Sequence, residues 1–195
     1  RKESSAASDV YKRQEVDYET LWDEEVLNNG LEKFDWLHLH HEDFTGQYGK
    51  FYRNYHNAPW YIEQKNNFES LAKKYGMVSV HEEKKAISRI IKNYIGNGVF
   101  LFAMCSATDS YDIALSLEGV DGVHSVFDGT PVERNLSKKI DYKKTLAFKD
   151  FSIYPDPMIY EFSDIDFPPS HNPVTRGAEA DYFSCLLYTS PSPRD

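Results

Sequence analysis

The sequence has few cysteines, no long apolar run and no excess of positive charge. Its 195 residues include two cysteines, which excludes a framework of several disulfides. No apolar stretch approaches the ~20 residues that a membrane-spanning helix needs. Acidic residues outnumber basic residues 31 to 22, for a formal net charge of −9, and no basic stripe runs along the chain. This balance argues against a nucleic-acid-binding protein and leaves a small-molecule ligand as the expected partner.

The two ends of the chain are related at the level of DNA. Residues 9–14 can be encoded by gat gtg tat aag aga cag, and the reverse complement of these codons, read one base later, encodes residues 185–190. Residues 4–14 and 185–195 therefore resemble translated sequencing adapter, and residues 1–3 have no assigned origin. We treat 1–14 and 185–195 as non-native tails. We predict that 15–184 is a fragment of one domain, with Cys105 as its one cysteine.

Residues 98–109 predict a buried strand, a cysteine and the start of a helix. The run 99–104 is nearly continuously apolar, as in a central parallel strand that is covered on both faces. Cys105 then lies on a tight strand-to-helix turn, with Ala103 and Ala107 two residues away on either side. This spacing of small residues is typical of a nucleophile elbow, and a helix N-terminus favours a thiolate. The alternative is a cysteine that serves only for packing.

A second stretch predicts a strand that ends in polar residues. Residues 34–40 alternate with period two, and the chain then passes through an acidic segment into a turn with two glycines. Carboxyl ends of parallel strands are where ligands bind, so this end and the cysteine elbow are expected to meet in one crevice. Backbone N–H groups of the turn could hold an oxyanion. The predicted oxyanion and substrate-binding residues are Ser106, His40, His41, Glu42, Asp43, Gly46, Gln47 and Tyr48.

A cysteine nucleophile also needs a base. Imidazole is the usual partner, and the candidates are His124 and His171, although the base could lie beyond Ser184. His38 and His40 share one strand face and could bind a metal, which leaves a metal-dependent hydrolase as an alternative. Their spacing matches no defined metal motif, so no metal or other cofactor is predicted.

The remaining pattern predicts alternating strands and helices. Helices are expected over 18–30, 62–75 and 80–97, and a short strand over 120–126. Strand, helix, strand, cysteine and helix form a βαβ pattern, which predicts an α/β fold with a mainly parallel sheet. The aromatic segment 44–61 is either a loop that stacks on a sugar or ring, or an insertion that packs on the domain.

Two segments resemble a known family. Residues 34–51 (FDWLHLHHEDFTGQYGKF) and 100–110 (FLFAMCSATDS) resemble bacterial proteins, common in the Bacteroidota, labelled asparagine synthetase B. The helix-Gly-strand-Cys-helix order is similar to the class I glutamine amidotransferase-like superfamily. That resemblance implies a three-layer flavodoxin-like sandwich, with Cys105 attacking a glutamine side-chain amide. It also implies a His and an acid late in the chain as helpers.

The sequence thus leads to three functional hypotheses. The first is an amide or ester hydrolase that uses a Cys105 thiolate. The second is a non-catalytic domain of the same fold that binds a small ligand, such as a sugar. The third is the metal-dependent hydrolase of His38 and His40. The compartment, cytoplasmic or exported, and the oligomeric state stay open.

Overall fold

The computed structural model describes residues 17–165. Short 3₁₀ turns lie at Gly30–Lys33, Tyr48–Lys50 and Leu136–Lys138. The helices are Asp23–Leu27 (α1), Tyr52–Tyr55 (α2), Pro59–Lys74 (α3), Val80–Gly96 (α4), Ser106–Ser116 (α5) and Ser125–Asp128 (α6); the strands are Trp36–Leu39 (β1) and Phe100–Ala103 (β2). None of the helices in this range is long and apolar enough to cross a membrane.

The two strands form a parallel sheet in which Trp36 lies opposite Phe100 and Leu39 lies opposite Ala103. Because α2, α3 and α4 connect them, β1, the helices and β2 form the expected βαβ unit. The mixed fold is therefore compatible with the α/β class. The sheet of residues 17–165 has two strands, and the finer expectation of a three-layer flavodoxin-like sandwich is not confirmed.

One face of this sheet packs against the helices. Helices α4 and α5 contribute to one apolar cluster, which includes the buried Ile87, and four side chains of the sheet belong to it: Leu37, Leu39, Leu101 and Ala103. Within the described residues the expectation that β2 is covered on both faces is wrong, because both helices pack on the same side. On the other face, Trp36, Phe100 and Phe102 are 43–60 % exposed, and His38 is partly buried against Phe102.

The long helices follow the sequence pattern closely. Helix α4 begins after Ser79, whose hydroxyl accepts a hydrogen bond from Glu82 N at 3.3 Å. Helix α3 starts three residues earlier than predicted because Pro59 occupies its first position, where a missing N–H costs nothing. Helix α1 is much shorter than the predicted 18–30.

The predicted strand over 120–126 is wrong. Local side-chain hydrogen bonds fold this segment instead: Asp121 accepts from Val123 N at 3.0 Å, and His124 Nδ1 accepts from Val126 N at 3.2 Å. Such bonds compete with strand pairing, and here they start helix α6.

The aromatic segment 44–61 packs largely on the domain. Tyr48 and Tyr61 are buried and contact a second apolar cluster that includes Val80 and Phe127. Its outer rings, such as Trp60, remain partly exposed. Of the two alternatives for this segment, an insertion that packs on the domain therefore describes its central residues.

Asp112 fixes the irregular segment that follows α6. Its buried carboxylate accepts hydrogen bonds from the consecutive amides of Leu146, Ala147 and Phe148 at 2.7, 2.8 and 2.8 Å. Phe148 then enters a third apolar cluster, which anchors the segment to α5 through Ile113.

Candidate functional site

Cys105 lies at the junction of β2 and α5 in a backbone conformation that L-residues rarely adopt. Its φ is 55° and its ψ is −142°, and its side chain is exposed. Holding a residue with a side chain in such a conformation costs about 1–3 kcal/mol, and strain of this kind concentrates at functional sites. Ala107, on the first turn of α5, is fully buried. The sharp strand-to-helix turn that the sequence predicts is therefore present.

Pairing between the two chain segments continues past the ends of the strands. Met104 N donates to Leu39 O at 3.0 Å, and Ala107 N donates to His40 O at 3.3 Å. These bonds hold the residues after β1 alongside the cysteine turn. The predicted meeting of the two strand ends in one place is confirmed.

Ser110 adds a further tie between α5 and this segment. Its fully buried hydroxyl donates to Glu42 O at 3.0 Å and accepts from Phe44 N at 3.4 Å. The segment from His40 to Phe44 is thus fixed to the first two turns of α5. The term "elbow crevice" below means this arrangement of residues 39–44 beside residues 104–110.

Three imidazoles follow one another at the end of β1. The rings of His40 and His41 have centroids 3.8 Å apart, and those of His38 and His40 are 6.1 Å apart. Burial lowers the pKa of His38, and burial together with the neighbouring His41 and His38 lowers the pKa of His40. At neutral pH these two rings are therefore uncharged and able to accept a proton. Within residues 17–165 no group of three or more His, Cys, Asp or Glu is arranged to hold a metal ion.

Two amides of the turn at 46–49 are already hydrogen-bonded within the turn and are not available for an oxyanion. The carboxylate of Asp43 accepts hydrogen bonds from Thr45 N at 2.7 Å, Gln47 N at 2.9 Å and Gly49 N at 2.8 Å, and from Thr45 Oγ1 at 2.6 Å. Gly46 lies against the first turn of α4, where an added Cβ would come within 2.7 Å of a backbone nitrogen. The carboxylate of Asp43 therefore occupies the amides of Gln47 and Gly49, and the oxyanion role of Gly46 and Tyr48 stays a prediction.

A buried lysine below this turn was missed by the sequence analysis. Lys50 is 1 % exposed, and its Nζ donates to Tyr154 O at 2.5 Å and Asp156 O at 3.0 Å. Burial lowers its pKa to about 8, against the opposing charges of Asp43, Asp156 and Asp109. A single lysine after a glycine-rich turn gives no sequence signal of burial, so only the fold reveals it.

The two histidines proposed as bases have different outcomes. His124 caps α6 through Nδ1, and within the described residues the structure shows no contact between it and Cys105. His171 lies outside residues 17–165. The fold does hold the main chain of His40 beside the elbow, through the hydrogen bond from Ala107 N to His40 O, and the sequence analysis assigned His40 to substrate positioning.

A cavity of about 440 Å³ opens along β1, on the side away from β2. It lies between β1, α4, α1 and the residues that precede α1, and His40 and Glu42 line it where it reaches the end of β1. Glu42 is exposed to solvent, yet desolvation by the surrounding protein raises the pKa of its carboxyl. The cavity therefore adjoins the elbow crevice.

The backbone strain at Cys105 leads to a stability prediction. We expect Cys105→Gly to have a free energy of unfolding about 1 kcal/mol higher than Cys105→Ala, because glycine adopts a positive φ without steric cost. Chemical denaturation of the two variants measures the difference. The matched pair Ser70→Gly and Ser70→Ala, at an exposed position of α3, should show the opposite order. Equal stability of the two Cys105 variants would contradict the strained turn.

No protein-family model, curated protein or solved structure matches this chain.

Proposed function

We propose that this protein is a cysteine-dependent hydrolase of the amidotransferase-like type, acting on an amide or ester with Cys105 as nucleophile. The observation that carries the proposal is the conformation of Cys105, an exposed thiol on a strained turn between a parallel strand and a helix. The resemblance to class I glutamine amidotransferase-like proteins supports the same chemistry and makes the glutamine side chain one candidate substrate.

The residues around Cys105 have defined roles in this reaction. Sγ attacks the carbonyl carbon, and the carbonyl oxygen becomes an oxyanion. Ser106 N is the first amide of α5 and, like other first-turn amides, has no acceptor inside the helix, so we assign it the role of donor to that oxyanion. The thiol proton passes to a neutral imidazole, for which His40 is the described residue whose main chain is bonded to the elbow.

The rest of the cycle returns the enzyme to its starting state. Collapse of the tetrahedral intermediate breaks the bond to the amine or alcohol, and the imidazole gives that leaving group its proton. A thioester on Cys105 remains. Water then attacks the thioester while the imidazole takes its proton, which releases a carboxylic acid and restores the thiol.

Substitution of Cys105 tests the proposal. In a Cys185→Ser background, which leaves Cys105 as the one thiol, we expect Cys105→Ser to lower kcat/KM at least about a hundredfold on p-nitrophenyl esters or amino-acid amides. Iodoacetamide should abolish the activity of the Cys185→Ser protein in proportion to the label incorporated. Undiminished hydrolysis by Cys105→Ala, with intact circular dichroism, would overturn the proposal.

A domain that binds a small ligand without catalysis is the second candidate. The observation that favours it is the 440 Å³ cavity beside β1, whose volume lies in the usual range for small-molecule sites. The two candidates are separable, because Cys105 does not line this cavity.

A further inference from the structure

The cavity beside β1 has an apolar floor. Most of its deeper lining belongs to the main hydrophobic cluster, whose side chains are 1–7 % exposed. These floor residues are Val26, Leu31, Leu39, Phe44, Ile87 and Ile91. Burying an apolar group against such a floor is favourable by roughly 25 cal/mol per Å² of apolar surface removed from water. The cavity therefore fits a ligand with an apolar body.

The rim of the cavity is strongly acidic. Among residues 17–165, five acidic residues and one lysine line it, and the acidic residues are Asp17, Glu19, Asp23, Asp35 and Glu42. The lysine, Lys33, is held by Glu19 at 2.8 Å, and Asp23 is paired with Lys84. The remaining three, Asp17, Asp35 and Glu42, have no lysine or arginine in salt-bridge contact within residues 17–165. Their charge opposes an anion and attracts a cation.

Two tryptophans are also among the described residues that line the cavity. Trp22 and Trp36 are both lining residues and are nearly half exposed, and the ring of Trp36 also makes an edge contact with Phe100 on the exposed face of the sheet. The face of an indole ring attracts an organic cation, and the attraction is larger where the cation is partly desolvated. The aromatic groups and the carboxylates thus both favour a positively charged ligand. A sugar would use the same rings and carboxylates, but it would gain nothing from the excess negative charge.

We propose that this cavity is a binding site for an organic cation with an apolar body, such as an aryl-alkyl amine or the side chain of a basic, hydrophobic substrate. The inference deepens the ligand-binding candidate and rests on it. It names the chemical class of the ligand: the apolar body lies on the floor between α1 and α4, and the ammonium group lies among Asp35, Glu42 and the indole rings.

Three probes of similar size test the assignment. 2-Phenylethylamine, 2-phenylethanol and phenylacetate carry positive, zero and negative charge at pH 7. Titration followed by tryptophan fluorescence reports on the site because Trp22 and Trp36 line it, and a Trp60→Phe background removes the third tryptophan. We expect the amine to bind at least tenfold more tightly than phenylacetate, with the alcohol between them. We also expect the preference to shrink as salt is added.

Isosteric variants assign the effect to the rim. Asp35→Asn and Glu42→Gln should each weaken amine binding about threefold to tenfold and leave binding of the alcohol unchanged, whereas Asp128→Asn, at a distant turn, should change neither. Phenylacetate binding as tightly as the amine, equal effects of the rim variants on amine and alcohol, or no binding of any probe at millimolar concentration would each overturn the proposal.

The same titration on Cys105→Ser separates this inference from the hydrolase. Cys105 is not part of the lining, so this variant should bind the amine with unchanged affinity. Retained hydrolysis in a protein that binds no probe would refute the cavity assignment alone. A cation preference in a protein without any hydrolase activity would refute the hydrolase and leave the cavity assignment standing.

Discussion

Replacement of Asp43 by asparagine is expected to lower the free energy of unfolding by about 3 kcal/mol. The carboxylate accepts four hydrogen bonds, from Thr45 N, Thr45 Oγ1, Gln47 N and Gly49 N. An asparagine NH₂ group accepts none, so two of these buried donors lose their partner. The substitution also removes a charge that faces the buried ammonium group of Lys50. Urea denaturation followed by circular dichroism measures the loss.

A matched control separates the buried network from an ordinary turn. Asp128 accepts hydrogen bonds from Thr130 N and Thr130 Oγ1, both at 3.0 Å, in an exposed turn of the same type. Asp128→Asn should change the free energy of unfolding by about 0.5 kcal/mol or less. Part of the loss in Asp43→Asn comes from removing the negative charge near Lys50. The double variant Asp43→Asn/Lys50→Met should therefore lose less free energy of unfolding than the sum of the two single variants. Strict additivity of Asp43→Asn and Lys50→Met would contradict the electrostatic part of the argument.

Replacement of Glu83 by glutamine is expected to stabilise the protein by about 2–3 kcal/mol at pH 8 and to leave its stability nearly unchanged at pH 4.5. Glu83 is fully buried near the start of α4, and neither carboxylate oxygen has a hydrogen-bond partner. Burial raises its pKa to about 7, and nearby Asp23 adds to the rise although Lys84 opposes it. A glutamine of the same shape remains neutral at every pH.

The sign of the pH dependence follows from the raised pKa. The folded protein binds the Glu83 proton more tightly than the unfolded chain does, so protonation favours folding. Stability from this group is fully present below about pH 4.5, declines between pH 4.5 and 7, and is lost above 7. The difference between Glu83→Gln and the unmodified protein should grow over that interval.

Denaturation at pH 4.5, 6, 7 and 8 measures the growth of that difference. Glu63→Gln, at an exposed position of α3, is the control and should show a small, constant difference. A difference that is equally large at pH 4.5 and 8, or a variant that is less stable at pH 8, would show that Glu83 is not held as a neutral acid.

Periodicity predicted the parts of the fold in which one apolar face decides the structure. Helix α4 has its apolar residues at helical spacing and a serine cap, and it begins where the pattern places it. Residues 120–126 are apolar enough for a strand, but Asp121 and His124 form local hydrogen bonds that no apolar count includes. Whether one or both faces of the sheet are covered also depends on the face against which α5 packs. That choice is set by tertiary contacts and not by the local sequence pattern.

The candidate site shows the same division. The position of Cys105 on a turn follows from local pattern, since a buried strand, small flanking residues and a helix start are all visible in sequence. The partners of Asp43 are not visible, because a carboxylate before a glycine-rich turn can face a ligand or its own backbone with equal ease. The cavity along β1 is lined by residues between 17 and 44 and by Ile87 and Ile91 of α4, and its acidic rim becomes evident only when residues 17–42 fold around it.

The contacts of Lys50 constrain the order in which the molecule can be assembled. The carbonyl oxygens that accept its hydrogen bonds belong to residues 104 and 106 positions later in the chain. The βαβ unit and helix α5 can pack together as soon as residue 116 has been synthesised. Until Tyr154 and Asp156 are present, the ammonium group of Lys50 remains hydrated. Closure of so long a loop is slow compared with local helix formation. During synthesis on the ribosome, the βαβ unit is therefore expected to form first and the Asp43 turn to lock last.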